Sequence, residues 1–334
     1  MKKALVLMNF GGPRSLEDVA SFLKDLFSDP CVFEYPSWIR RLLAHYIAKK
    51  RAKSVAKSYA LMGGRSLVFE STEKQSQALS EKLNHAYDVF CAMRYGSPSI
   101  KDVISQLKDY KPQEVLLLPM YPHFSLTTTL SCFKEWEREV KRQAFSYPTK
   151  RICCYPKNDY FIKAHGEIIL GAWKKVKPER PVRLLFSAHG IPMKFVSRGD
   201  PYCTHIKESC RAILAYINKK GLAFSDWQLC YQSRVGPLAW TEPYLDDELD
   251  RAAKDKKDVF VVPISFVGEH LETLVELDVE YKEKAEALGL AFFRAPALES
   301  HPSFIEGLAQ LVRHHDHLPR SCPVENNQCW RYRA

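Results

Sequence analysis

Lys3–Pro13 (KALVLMNFGGP) and Arg183–Pro192 (RLLFSAHGIP) are the two stretches whose comparison decides the fold. Each is a short apolar run that stops at glycine and proline. The likeness recurs twice further on, in the same order. Tyr87–Pro98 (YDVFCAMRYGSP) pairs with Trp227–Pro237 (WQLCYQSRVGP), and Glu114–Pro122 (EVLLLPMYP) with Asp258–Val267 (DVFVVPISFV). Continuous apolar runs of this length fit parallel strands buried on both faces, which show no polar alternation. Helix-like stretches such as Ser71–Asn84 and Tyr202–Asn218 lie between them. Strands alternating with helices build βαβ units around a parallel sheet. The expected architecture is α/β, with two similar doubly wound, Rossmann-like domains. Each is a parallel sheet flanked by helices, and a cleft lies between them.

The 334 residues suit two domains at about 150 residues each. The expected split is 1–148 and 149–301, at the Ser-Tyr-Pro-Thr stretch in Phe145–Lys150, with a tail over 319–334. A last helical pattern over 302–318 is expected to pack back on the first domain. A hydrophobic fraction of 46% and a charged fraction of 26% exclude disorder, collagen and coiled coil as the main class. The longest apolar runs, Ala4–Met8 and Val115–Met120, fall far short of the roughly 20 residues of a spanning helix. Met-Lys-Lys leads straight into a strand, so no secretion signal is expected and a cytoplasmic location is. Ten cysteines fit a reducing compartment better than a disulfide framework. Lys plus Arg is 49 and Asp plus Glu 39, a net charge of +10. That suits an anionic partner, whether nucleic acid, membrane surface or acidic small molecule. No base-reading motif is present, so no nucleic-acid partner is expected.

In open α/β sheets ligands bind beyond the carboxyl ends of the strands. His189 stands at such an end, between Ala188 and Gly190, where an imidazole can act as base or metal ligand. The run after Phe266 is acidic. Glu272, Glu276 and Glu280 step by four along one helical face, with Glu269 one turn ahead. A solvated acidic face is the ordinary meaning of such a run. Starting directly after a buried strand, however, it would border the cleft and attract a divalent cation or pass protons. Carboxylate and imidazole together suit Fe(II), Zn or Mn. Cys203, His205 and Cys210 show packing spacing and carry no metal expectation. Gly11-Gly12-Pro13 lacks a nucleotide-loop pattern. Pro36–Lys57 combines Trp38, Leu42 and Tyr46 with seven basic residues, and so reads either as a core helix with a basic outer face or as a membrane-surface helix.

These pieces belong to a larger ordered set: Asn9-Phe10-Gly11-Gly12-Pro13 with Leu16-Glu17-Asp18-Val19; Gly63-Gly64 with Ser66; Arg94-Tyr95; Tyr121-Pro122-His123-Phe124-Ser125; Leu185–Pro192; Arg198-Gly199-Asp200-Pro201-Tyr202; Tyr231–Pro237 with Trp240; and Phe266–Leu274. In this order, over nearly the whole chain, they resemble the ferrochelatases, lyases that insert Fe(II) into a porphyrin at the end of heme synthesis. The resemblance implies that His189 and Glu272 face the metal from opposite sides of the ring. It places Glu269, Glu276 and Glu280 in an acidic relay along a π-type helix. Arg51, Tyr59, Ser66, Arg94, Tyr95 and Trp240 match porphyrin-lining positions. No cofactor is implied for the chemistry, since Fe(II) is a substrate beside the porphyrin dianion. Protoporphyrin IX is favoured over coproporphyrin III. The basic helix matches a lip around the porphyrin, which implies weak peripheral membrane contact at the inner face. Relatives include monomers and homodimers. Some members hold a 2Fe–2S cluster in the tail. Cys322 and Cys329 match in part, but only two tail cysteines are present and Leu126 fills the internal position, so spare thiols are the first expectation. A cobalt or nickel chelatase and a non-catalytic tetrapyrrole-binding protein are the alternatives.

Overall fold

A computed structural model describes residues 2–317. In the first half the chain runs through β1 (Lys3–Gly11), α1 (Val19–Phe27), α2 (Ser37–Ala60), α3 (Val68–Lys82), β2 (Asp88–Tyr95), α4 (Ile100–Tyr110), β3 (Glu114–Pro119), α5 (Thr129–Arg142) and β4 (Thr149–Arg151). The second half holds α6 (Asp159–Trp173), β5 (Val182–His189), α7 (Met193–Ser197), α8 (Tyr202–Lys219), β6 (Trp227–Gln232), α9 (Leu245–Lys254), β7 (Asp258–Pro263), a π-helix (Glu272–Tyr281), α10 (Lys282–Ala287), β8 (Phe292–Arg294) and α11 (Pro302–Arg313). The two sheets are parallel and share one topology, β2-β1-β3-β4 and β6-β5-β7-β8. The repeat seen in sequence is thus a repeat of strand order.

The strands are apolar because both their faces are covered. Ala4–Met8 and Leu184–Phe186 have no exposed surface. One continuous core joins the halves, taking Leu5, Leu7 and Leu118 from the first sheet and Leu184, Phe186 and Phe260 from the second. Each fully buried side chain of this kind contributes roughly 1.5–3 kcal/mol. α11 packs on both α6 and α3, so the chain returns to its first half. The first sheet extends to Arg151 through β4, past the split expected at 148. Pro148 donates no N–H but its carbonyl accepts from Val115, so the Tyr-Pro stretch leads into an edge strand instead of a linker.

Gly11-Gly12 is a packing device. Gly11 has φ +88°, and a Cβ there would lie 1.9 Å from the Tyr95 carbonyl oxygen. A Cβ on Gly12 would lie 2.4 Å from Ser66. The glycines let β1, β2 and the Ser66 turn meet at the cleft.

Candidate active site

β5 delivers His189 to the cleft and its main chain is clamped there. The His189 N–H donates to Ser265 Oγ at 3.1 Å, and its carbonyl accepts from the Tyr202 hydroxyl at 2.9 Å. Asp200 supports that tyrosine by accepting from the Tyr202 N–H at 3.0 Å. Its other oxygen accepts from Ser125 Oγ and the Leu126 N–H, both at 2.8 Å, in the loop after β3. The imidazole stands edge-on to Phe266, with ring centroids 6.5 Å apart. Burial lowers its pKa below the usual histidine value, the Glu272 charge pulls it back up, and His270 pushes it down. At neutral pH the ring is neutral and keeps a free lone pair.

Glu272 opens the π-helix, a ladder whose wide turns are found mainly at functional sites. Thr273, Val275 and Leu277 bury its inner side. Burial opposes ionisation of Glu272, but His270 and His189 outweigh it and hold the carboxyl below its ordinary range. His270 Nε2 lies 3.5 Å from the carboxylate. One turn on, the Glu276 carboxylate accepts from the Ser233 N–H at 2.7 Å, from Gln232 Nε2 at 3.0 Å and from the Ser233 hydroxyl. Burial, assisted by the charge on Glu272, still raises its pKa to about 7. Glu280 is exposed. The row thus runs from an ionised carboxylate through one poised near neutrality to solvent.

Glu269 does not join that row. Its oxygens hold Arg294 at 3.0 Å and the Ala297 N–H at 2.8 Å, and Arg294 also grips Asp278 at 2.6 Å. Burial would raise its pKa, yet Arg294 brings it below the ordinary value, so Glu269 is a brace between the loop and β8. Arg94 and Tyr95 also depart from expectation. Both turn inward onto Asp29, which is 2% exposed: Arg94 Nη2 at 2.6 Å and the Tyr95 hydroxyl at 2.7 Å. Arg94 Nε further donates to Ser131 at 2.7 Å. A buried carboxylate requires such partners, and this requirement takes both side chains out of the lining.

The other first-half residues stay near the site. Tyr59 is buried, and its pKa is raised by burial and by the charge on Glu272, so α2 reaches the acidic helix across the cleft. Ser66 is buried behind Gly12. Leu271 packs into the first-half cluster that holds Tyr59, Tyr95 and Phe10. Arg51 has no ion-pair or hydrogen-bond partner among the described residues. Trp240 donates from Nε1 to the Val235 carbonyl at 3.0 Å, and its ring lies 3.3 Å from where a Gly190 Cβ would be. It therefore covers the residue after His189.

His270, Gln232 and Ser233 fall in the strand-end stretches and motifs that the sequence singles out, but the sequence assigned them no role. Gln232, paired in register with His189, accepts from Ser187 Oγ at 2.7 Å and donates to the Glu272 carbonyl at 2.8 Å. It ties the histidine strand to the acidic helix. Its position at the end of β6 was the available signal. His270 was hidden because residues two apart do not share a helical face; it lies just before the helix, where its ring folds back over Glu272. Cys322 and Cys329 lie outside the described residues. Among the described residues no group of three His, Cys, Asp or Glu side chains could hold a metal ion, and no helix is long and apolar enough to cross a membrane.

Two parallel sheets of one topology, joined by a shared core, are the architecture also seen in solved chelatases. Solved structures agree on the fold. SirB from Bacillus subtilis, with Fe3+, superposes at a TM-score of 0.53 and 13% identity, covering 94% of this chain and 95% of that one. CbiX, the terminal enzyme of siroheme biosynthesis in denitrifying bacteria, gives 0.51 at 10% identity over 95% and 100% of the two chains. The ferrochelatase family profile matches residues 2–316. Ferrochelatases of Rickettsia bellii and of Wolbachia are 42% and 43% identical, over 92% and 93% of this chain and 86% and 98% of theirs. The chain belongs to the ferrochelatase family.

Proposed function

We infer that this chain inserts Fe(II) into a porphyrin at the cleft between its sheets, with His189 and Glu272 as the groups that meet the metal and the pyrrole protons. What supports the role is that the two groups lie within electrostatic reach of one another: the charge on Glu272 raises the proton affinity of His189, and a protonated His189 lowers that of Glu272. Insertion removes two pyrrole protons and forms four metal–nitrogen bonds. A planar ring turns its lone pairs away from an incoming ion, so a pocket that favours the bent ring lowers the barrier. Fe(II) must shed water, which a carboxylate and an imidazole replace stepwise. Glu276 supplies the next proton site. A Glu276 carboxyl with pKa about 7 both accepts and releases protons at neutral pH and leads to exposed Glu280. Arg51 of α2 is the candidate for the propionates, with Tyr59 and Ser66, both buried near Gly12, as further candidates for the lining, and protoporphyrin IX is the favoured ring.

His189→Ala and Glu272→Ala are each expected to reduce anaerobic Fe(II) insertion at least a hundredfold, the span typical of an essential proton-transfer group, with circular dichroism unchanged. Near-normal insertion by either variant refutes the assignment. The same assay with cobalt and nickel, and with coproporphyrin III, separates the alternatives. Peripheral membrane contact is supported by the α2 ridge of Trp38, Leu42 and Tyr46, which are 66%, 66% and 62% exposed. Absence of liposome flotation at low salt removes it. A 2Fe–2S cluster has no support among the described residues. Cys322 and Cys329 lie outside the described residues; of the internal cysteines, Cys132 is fully buried, and Cys153 and Cys154 pack against Phe124.

A further inference from the structure

Away from the cleft, a hollow of about 650 Å3 opens on the outer side of α1 and α2. Five basic side chains from three helices line it: Lys24 of α1, Arg40, Arg41 and His45 of α2, and Arg138 of α5. Arg40 is positioned by donating to the Ser28 carbonyl at 2.8 Å and the Tyr35 carbonyl at 2.7 Å. Arg138 is positioned by Glu135 at 2.5 Å and Glu139 at 3.5 Å. Those two glutamates, with Asp25 beside Lys24, offset part of the charge. Lys24, Arg41 and His45 form no ion pair or hydrogen bond among the described residues. A concave set of guanidinium and ammonium groups whose charge is only partly met inside the chain matches a phosphate, which guanidinium groups bind in fork geometry. The volume is that of an ordinary ligand site.

The source of the phosphate follows from Leu42, which also lines the hollow and is the middle member of the exposed Trp38–Leu42–Tyr46 ridge. Arg41 and His45 precede Leu42 and Tyr46 by one residue each, so they flank the ridge along the helix. With the ridge at an acyl boundary, the hollow lies at headgroup level. We propose that this hollow is a headgroup site for an acidic phospholipid, which the cations hold by its phosphate. The proposal rests on the membrane contact put forward above and adds to it a lipid preference and a defined place.

Flotation with vesicles of phosphatidylcholine, with and without phosphatidylglycerol, at fixed ionic strength tests it. The Lys24→Gln/Arg41→Gln double variant removes two hollow cations. Lys49→Gln/Lys50→Gln removes equal charge from exposed positions in the middle of the same helix. The first double is expected to lose phosphatidylglycerol affinity by roughly fivefold per cation, well beyond the second, and glycerol 3-phosphate is expected to compete. Equal losses in the two doubles overturn the proposal, as does equal binding to both vesicle types, which leaves the plain membrane contact standing. Calorimetric binding of glycerol 3-phosphate without vesicle binding overturns the lipid source. No vesicle binding of any kind removes the membrane contact itself and this site with it. Circular dichroism and the melting temperature are expected to stay unchanged in both doubles, which checks that they fold.

Discussion

At the residue scale the site is a gradient of proton affinity built by burial and neighbouring charge. Glu272 favours the imidazolium form of His189, so removing its charge is expected to lower the His189 midpoint further. Histidine NMR titration of Glu272→Gln against the unmodified protein reads this directly, and an upward or absent shift contradicts this electrostatic reach. Glu276 offers a thermodynamic test. Its proton affinity rises from an ordinary 4.5 to about 7 on folding. Below pH 4.5 both folded and unfolded chains hold the proton. As pH rises towards 7 the unfolded chain releases it first, so stability is lost until the folded group ionises too. The loss amounts to about 3 kcal/mol. Glu276→Gln carries no such proton. Its stability relative to the unmodified protein is expected to improve by up to that amount between pH 5 and 8, as read by denaturant unfolding. A pH-independent difference contradicts the raised affinity.

At the element scale, the loop after α1 is held to β2 and α5 through Asp29. Removing one partner of a buried ion pair leaves the other uncompensated. Asp29→Ala is expected to cost about 3–5 kcal/mol in chemical unfolding, and Asp29→Leu with Arg94→Met to recover much of it. A loss as small as that of a surface pair would return Arg94 to the pocket lining. The π-helix is an element whose ends have different tasks. Leu271 and Glu272 reach the first half and His189, whereas Tyr281 donates to Asp246 at 3.2 Å on the far side. Gln232 and Ser233 anchor its middle.

At the scale of the whole molecule, polar struts tie the halves over a shared core. Glu34, in the segment joining α1 and α2, pairs with Lys194 at 3.1 Å and Arg198 at 2.5 Å, around α7 just beyond His189. Burial opposes the charge on Glu34, but these two cations keep its pKa below the ordinary value. Half-exposed pairs contribute little to stability, up to about 1 kcal/mol. Glu34→Gln is therefore expected to leave the melting temperature nearly unchanged while hydrogen exchange over residues 28–36 accelerates. Unchanged exchange would show that the pairs do not restrain the segment.

The strands, their parallel pairing and the repeat were legible in the residues, because buried strands are uniformly apolar; His189 drew notice as a strand end, while its pairing with Glu272 came only from the resemblance. The acidic row at Glu272, Glu276 and Glu280 was legible through its spacing. Tertiary structure alone decided which carboxylates serve the cleft and which brace the fold. Glu269 and Glu276 look alike in sequence, and only packing sets one on Arg294 and the other on Ser233. It likewise turned Arg94 and Tyr95 inward to Asp29 and brought Gln232 between histidine and carboxylates. The physical reason is that a side chain's charge state and partner depend on what is buried around it, and those neighbours come from distant parts of the chain.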